Sequence, residues 1–189
     1  MAIRYTGWGA PGIVAAFLCV ALSVGSPPAA AVPIAVSVDP PVSVFCCDDT
    51  LSVYMSVDEN AVDLRGFSLT LEFNPAIVQP VGVIPGELMT TAGCGFFIDW
   101  LNSTAVGDSI SVDGATLGCS MVGPGRIVEM QFVGISGGTS PLSCRSVLLR
   151  DSANNELDKI CFSGAITYEE PVAIEGNPWS VVKSRYRVR

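Results

Sequence analysis

Apolar and polar residues alternate with a period of two along most of this chain. Ile34, Val36 and Val38 stand at every second position, as do Leu51, Val53, Met55 and Val57. Phe67, Leu69, Leu71 and Phe73 enclose Ser68, Thr70 and Glu72, and Val128, Met130 and Phe132 enclose Glu129 and Gln131. In an extended chain successive side chains point to opposite faces, so each segment predicts a half-buried strand. Weaker alternation predicts strands around 80–84, 95–101, 109–113, 144–149 and 160–168. Turn signals separate them: Asp39-Pro40-Pro41, Asn74-Pro75, Pro85-Gly86, Asp113-Gly114, Gly123-Pro124-Gly125, Gly137-Gly138 and Asn154-Asn155. Eight or nine short strands, with at most one helical turn near Pro75–Val78, predict an all-β sandwich with each sheet burying one face.

Composition narrows the function classes. The chain has 189 residues, 19 glycines, 13 prolines and only 15% charged residues, and 49% of it is hydrophobic. That suits one β-rich domain and excludes a disordered chain. There is no histidine among the residues, so this chain alone builds no Ser-His-Asp triad, no Cys-His pair and no His metal site. Eighteen acidic residues against ten basic ones give a net charge of −8, which argues against nucleic acid as a partner.

The two ends differ from the middle. Arg4, the apolar run 13–24, Pro27-Pro28 and Ala29-Ala30-Ala31 read as a secretory signal peptide spanning 1–31. The run is short for a membrane span, so the expected mature protein is secreted, extracellular or at the cell surface, with no membrane span after cleavage. A domain over 32–170 follows, then a linker and basic tail over 171–189. Lys183, Arg185, Arg187 and Arg189 supply the tail's charge, and Trp179, Val182 and Tyr186 would share one helical face.

Six cysteines remain beyond the signal: Cys46, Cys47, Cys94, Cys119, Cys144 and Cys161. An even count in an exported chain reads as three disulfides. A bond between neighbours is strained. Cys94 and Cys119 sit in bends flanking one expected hairpin, so they are expected to pair, leaving Cys46 and Cys47 to take Cys144 and Cys161 in some order. No CxxC-type cluster suggests zinc.

Other chemistry is thin. Glu72, Glu87, Asp99, Asp108, Asp113 and Glu129 include no local pattern for the two carboxylates of a glycosidase, so no catalytic residue is expected. Asp151–Asp158 is rich in oxygen ligands but fails the spacing of a calcium-binding helix-loop-helix and reads as a hairpin turn. No metal or cofactor is expected. Asn102-Ser103-Thr104 matches a glycosylation acceptor. A sugar-binding platform needs exposed aromatics; Trp100 lies in an apolar run with Phe96, Phe97 and Ile98 that reads mostly as core.

Three segments in order resemble a cohesin domain. The first, 66–89, contains Phe73-Asn74-Pro75, Ile77 and Val83-Ile84-Pro85-Gly86 at the places of a strand ending in aromatic-Asp/Asn-Pro and a following Pro/Gly bend. The second is Gly125–Ile135 (GRIVEMQFVGI), similar to the cohesin strand with Gly, aliphatic and Phe at fixed spacing. The third, 138–168, resembles the closing pair of strands joined by an Asp/Asn-rich turn. The likeness spans about 33–168; the six cysteines depart from the usual cohesin composition. It implies a nine-stranded jelly-roll β-sandwich, kin to carbohydrate-binding modules, without enzymatic activity. It also implies a dockerin-like secreted partner, calcium-loaded and helical, held by strands 3, 5, 6 and 8. Mapped by order, these are about 67–73, 95–101, 109–113 and 144–150. Their expected outward residues are Ser68, Thr70, Glu72, Asp99, Ser109, Ser111, Asp113, Ser146 and Arg150, a small, polar, mildly acidic patch. Such a module is associated with extracellular polysaccharide breakdown. The alternatives are a module that binds polysaccharide directly, and a structural surface protein anchored through its tail.

Overall fold

A computed structural model describes residues 32–47, 49–102 and 108–171. The expected signal peptide, nearly all of the linker and tail, and Ser103-Thr104 of the glycosylation motif lie outside the described residues. Eleven strands run in order: β1 Ile34–Asp39, β2 Val42–Cys46, β3 Thr50–Val57, β4 Leu64–Glu72, β5 Val78–Pro85, β6 Gly95–Asn102, β7 Ser109–Leu117, β8 Gly125–Gly134, β9 Gly138–Asp151, β10 Lys159–Phe162 and β11 Gly164–Glu169. They form a five-stranded sheet, β10-β1-β3-β8-β5, and a six-stranded sheet, β2-β11-β9-β4-β7-β6. Among the described residues no helix is long and apolar enough to cross a membrane.

The alternation read from the sequence is what builds the sandwich. Val36, Val53, Met55, Met130 and Phe132 point inward from one sheet; Leu69, Leu71, Ile110, Val112 and Leu149 point inward from the other; all are buried in one core. The rings of Phe73 and Phe132 meet edge to face with centroids 6.0 Å apart. Phe67 is buried opposite Gly114, where a Cβ would stand 2.4 Å from Phe67 Cζ. The glycine is there because the ring occupies the side-chain space.

The strand count corrects the expectation of nine in two places. The segment read as one strand over 160–168 is two strands, β10 and β11, and they belong to different sheets. Gly164 stands at the crossing: a Cβ there would lie 2.6 Å from Val38 Cγ1 and 2.9 Å from the Pro41 carbonyl oxygen. The other addition is β2, an edge strand paired in parallel with β11. Its outward residues are Val42 and Val44, 63% and 58% exposed, while Ser43 is buried, so its pattern is inverted relative to a normal strand. The expected turn over Pro75–Val78 is a hydrogen-bonded turn, with Ile77 N and Val78 N both donating to the Asn74 carbonyl. The α-helix α1, Glu87–Thr91, comes later and drives Met89 into the core.

Two disulfides link the strands. Cys94–Cys119, with Cα atoms 6.1 Å apart, agrees with the expected pair. It clamps the end of the β6–β7 hairpin where Gly95 faces Leu117. Cys144 bonds Cys161 with Cα atoms 6.2 Å apart, which overturns their expected pairing with Cys46 and Cys47. Cys144 lies on β9 and Cys161 on β10, so this bond staples one sheet to the other. Cys46 and Cys47 lie side by side, exposed, at the end of β2.

Candidate functional site

The four strands expected to form one face are adjacent, in the order β9-β4-β7-β6. Register arranges their outward residues in rows. Arg150, Gly66, Ala115 and Phe97 form the first; Leu148, Ser68, Asp113 and Asp99 the second; Ser146, Thr70, Ser111 and Leu101 the third. Ser143, Glu72 and Ser109 begin a fourth. All nine residues singled out in the sequence fall in this array. Eight are at least partly exposed, whereas Ser109 is only 7% exposed and is closed off from a partner.

The polar members hold one another in place. Thr70 Oγ1 and Ser111 Oγ are 3.0 Å apart across β4 and β7. Arg145 Nη1 reaches Glu72 Oε1 at 3.4 Å on the exposed surface, a contact of small energetic weight. Arg150 donates from Nη1 to the Asn154 carbonyl at 2.9 Å, steadying the β9–β10 turn. In that turn Asp151 accepts from Asn155 N at 2.7 Å and Asn155 Nδ2 at 2.9 Å. These bonds, the Asn155 side chain first, hold the Asp151 carboxyl below its ordinary value. The oxygen-rich segment is therefore a turn bonded to itself. Among the described residues no three Cys, Asp or Glu side chains come together as a metal site.

A second carboxylate ties the end of the face together. Asp63, with φ +60°, accepts from Ser120 Oγ through Oδ1 and from Ser152 Oγ at 2.6 Å through Oδ2. The Ser120 bond and then the Ser152 bond lower its pKa. The loop after β7 and the turn after β9 are thereby joined beside the first row.

The face is less polar than its sequence suggests. Phe97, Leu101 and Leu117 are 52%, 67% and 58% exposed. They project from the two strands nearest the sheet edge, whereas Ile98 and Trp100 turn inward and pack against the core. Around the first row lies an open hollow of about 660 Å³, lined by Phe97, Ala115, Leu117, Leu148, Gly66 and Arg150 among others. Its floor is low because Gly66 has no side chain; a Cβ there would meet only Gly114 O at 3.5 Å and Ala115 Cβ at 3.7 Å. The signal for Phe97 and Leu101 was present: with Asp99 outward, strand alternation carries both outward with it. Gly66, Ala115 and Leu148 carried no such signal, since only pairing brings them together. On the outer face of the other sheet Arg126 lies 3.9 Å over the Tyr54 ring and 3.5 Å from Asp39, Ser52 donates to Glu129 at 2.5 Å, and Ile160 and Phe162 of β10 are 50% and 53% exposed.

No protein-family model and no curated protein sequence matches the chain. Solved structures do. A non-cellulosomal cohesin from the archaeon Archaeoglobus fulgidus superposes with a TM-score of 0.60 at 12% identity, covering 83% of this chain and all of that one (100%). The fold is cohesin-like. Two type I cohesin–dockerin complexes from Clostridium thermocellum contain chains of the same fold. That with the cohesin of OlpA gives a TM-score of 0.61 at 14% identity, covering 72% of this chain and 99% of that chain. That with the cohesin of OlpC gives 0.60 at 15% identity, covering 74% and 95%. At such identities the cohesin-like likeness is one of fold, and it leaves the side chains of the β9-β4-β7-β6 face to be judged by their own chemistry.

Proposed function

We propose that this chain is a secreted, non-enzymatic, cohesin-like binding module that holds a dockerin-like protein partner on its β9-β4-β7-β6 face. The observation that carries the reading is the exposed apolar set Phe97, Leu101 and Leu117 beside a glycine-floored hollow, ringed by Asp113, Ser68 and Arg150. A few apolar anchors seated in a hollow supply most of the energy of a protein interface, and a polar rim fixes register. The hollow accepts one or two aliphatic or aromatic side chains from a helix laid across the strands. The cohesin-like fold, found in chains of cohesin–dockerin complexes, makes a dockerin-like helix the partner of choice. Export rests on the leader-like residues 1–31 and on the two disulfides. A place in extracellular polysaccharide breakdown rests on kinship of fold.

A glycan platform would need several coplanar rings, and among the described residues this face carries one, Phe97. The test uses the immobilised protein against culture supernatant, with calcium and with chelator, and against insoluble polysaccharide in parallel. The expected result is calcium-dependent capture of a secreted protein that is lost in Thr70→Arg, a variant whose melting temperature is checked first. Retention on polysaccharide without a protein partner would replace this reading with direct glycan binding.

A further inference from the structure

Four strands end the two sheets: β10 and β5 in one, β2 and β6 in the other. An edge strand offers unpaired N–H and C=O groups to another chain, and folded proteins blunt such edges with proline, charge, bulges or short length. Three of these edges are blunted. β5 carries Pro80 and Pro85 and shifts register between Pro80 and Gly82. β6 presents Asp99 outward and is tied at one end by Cys94–Cys119. β10 is four residues long, opens on Lys159 and is bonded to β9 of the other sheet through Cys161. β2 has none of these devices: its residues are Val-Ser-Val-Phe-Cys, without charge or proline. Among the described residues it pairs on one side only, in parallel with β11. Its exposed valines continue across the sheet in the rows Val42–Ala165–Pro141 and Val44–Thr167–Thr139.

We propose that β2 is a self-association edge, to which a second copy of this chain adds its own β2 in antiparallel register about a two-fold axis at Val44. Two copies can meet through this same edge in two ways. In a parallel pairing the two-fold axis lies along the strands, which turns one sheet over and sends the valines of the two copies to opposite faces. In the antiparallel pairing the axis stands perpendicular to the sheet and keeps both outward faces on one side. Val44 then faces its own counterpart, and Val42 faces Cys46 across the junction, an unbroken row of apolar cross-strand pairs. No charged residue stands on the strand, so no like charges meet there. Glu169, beside Cys46, falls at opposite ends of the junction in the two copies. A strand of five residues spans about 17 Å, too little to bury the roughly 800 Å² per partner of a standard interface, so the dimer forms reversibly as concentration rises. The pairing does not depend on the partner face proposed above. Where that face holds, the dimer presents two copies of it on one side of a continuous sheet, and a partner displayed in several copies gains avidity without any new contact.

The experiment is sedimentation of the folded full chain over a concentration series from low micromolar to sub-millimolar. The parent is expected to move from the mass of one chain toward that of two. In Val44→Lys, whose melting temperature is checked first, two ammonium groups would face each other at the axis, and the one-chain mass is expected throughout. Val44→Glu alone is expected to behave likewise. An equal mixture of Val44→Lys and Val44→Glu is expected to recover the doubled mass, because only a position that faces itself is rescued by its opposite charge. Val122→Lys changes a loop valine that is 59% exposed, close to Val44 at 58%, and is expected to dimerise like the parent. A parent chain that keeps the one-chain mass at every concentration would overturn the proposal. So would a dimer that survives Val44→Lys, one that Val122→Lys abolishes, or a Lys–Glu mixture that stays monomeric where the parent dimerises.

Discussion

Asp99 on β6 stands directly opposite Asp113 on β7, both carboxylates on the outward side of the sheet. Like charges directly across a strand pair oppose folding. Asp113→Asn is therefore expected to raise the melting temperature slightly, with a gain toward the low end of about 0.2–1 kcal/mol because both groups are solvated. Within the proposed function the pair gives the face its negative end, which speeds encounter with a basic partner. The same variant is expected to slow association several-fold at low salt and little at high salt, measured by stopped-flow or surface binding.

Two glycines on the neighbouring strands β4 and β7 predict opposite outcomes. Gly114→Ala drives a Cβ to 2.4 Å from the buried Phe67 ring, so it is expected to cost about 1–3 kcal/mol in denaturant unfolding. Gly66→Val adds its side chain on the outward side, where the nearest atom to a Cβ is 3.5 Å away. It is expected to leave stability within about 0.5 kcal/mol of the parent.

Acid stability has a named contributor. Asp63 has its pKa lowered in the folded protein, first by the Ser120 hydroxyl and then by Ser152. A lowered folded pKa adds stability that is present above the unfolded value, near pH 4, and lost as pH falls through the folded one. Melting curves taken from pH 6 downward should show the parent losing stability below about pH 4. Asp63→Asn should start lower and lose less over the same range. Asn also tolerates the left-handed φ of +60° at this position, which separates the electrostatic effect from backbone strain.

Much of the fold was legible because alternation survives wherever one face of a strand is buried. β4 is the clear case: Leu69 and Leu71 are 1% exposed and Phe67 5%, with Ser68 and Thr70 between them half-buried. β2 escaped notice because it is an edge strand with its valines outward and Ser43 inward. The β10–β11 break was hidden because a glycine at a sheet crossing looks, in sequence, like a glycine within a strand. The polar members of the face were legible as outward strand positions. Of its apolar members, Phe97 and Leu101 were legible only through their alternation with Asp99, since the run 96–101 reads as core by composition, whereas Gly66, Ala115 and Leu148 are brought together by strand pairing alone.

The Cys94–Cys119 bond holds that edge strand against β7. Replacing both cysteines with Ala is expected to cost about 2–4 kcal/mol. Because β6 carries Phe97, Asp99 and Leu101, amide exchange along 95–102 should quicken more than along β4. Uniform loss of protection across both strands would show that the bond stabilises the whole domain instead of its edge.

The most direct test of the proposed partner face is the affinity of Gly66→Val for the captured partner, measured by titration against the parent at equal, verified stability. If the hollow between Phe97, Ala115, Leu148 and Arg150 seats the partner's anchor, filling it should weaken binding at least about tenfold, near 1.4 kcal/mol. Unchanged affinity in a fully folded Gly66→Val protein would contradict the assignment of this face.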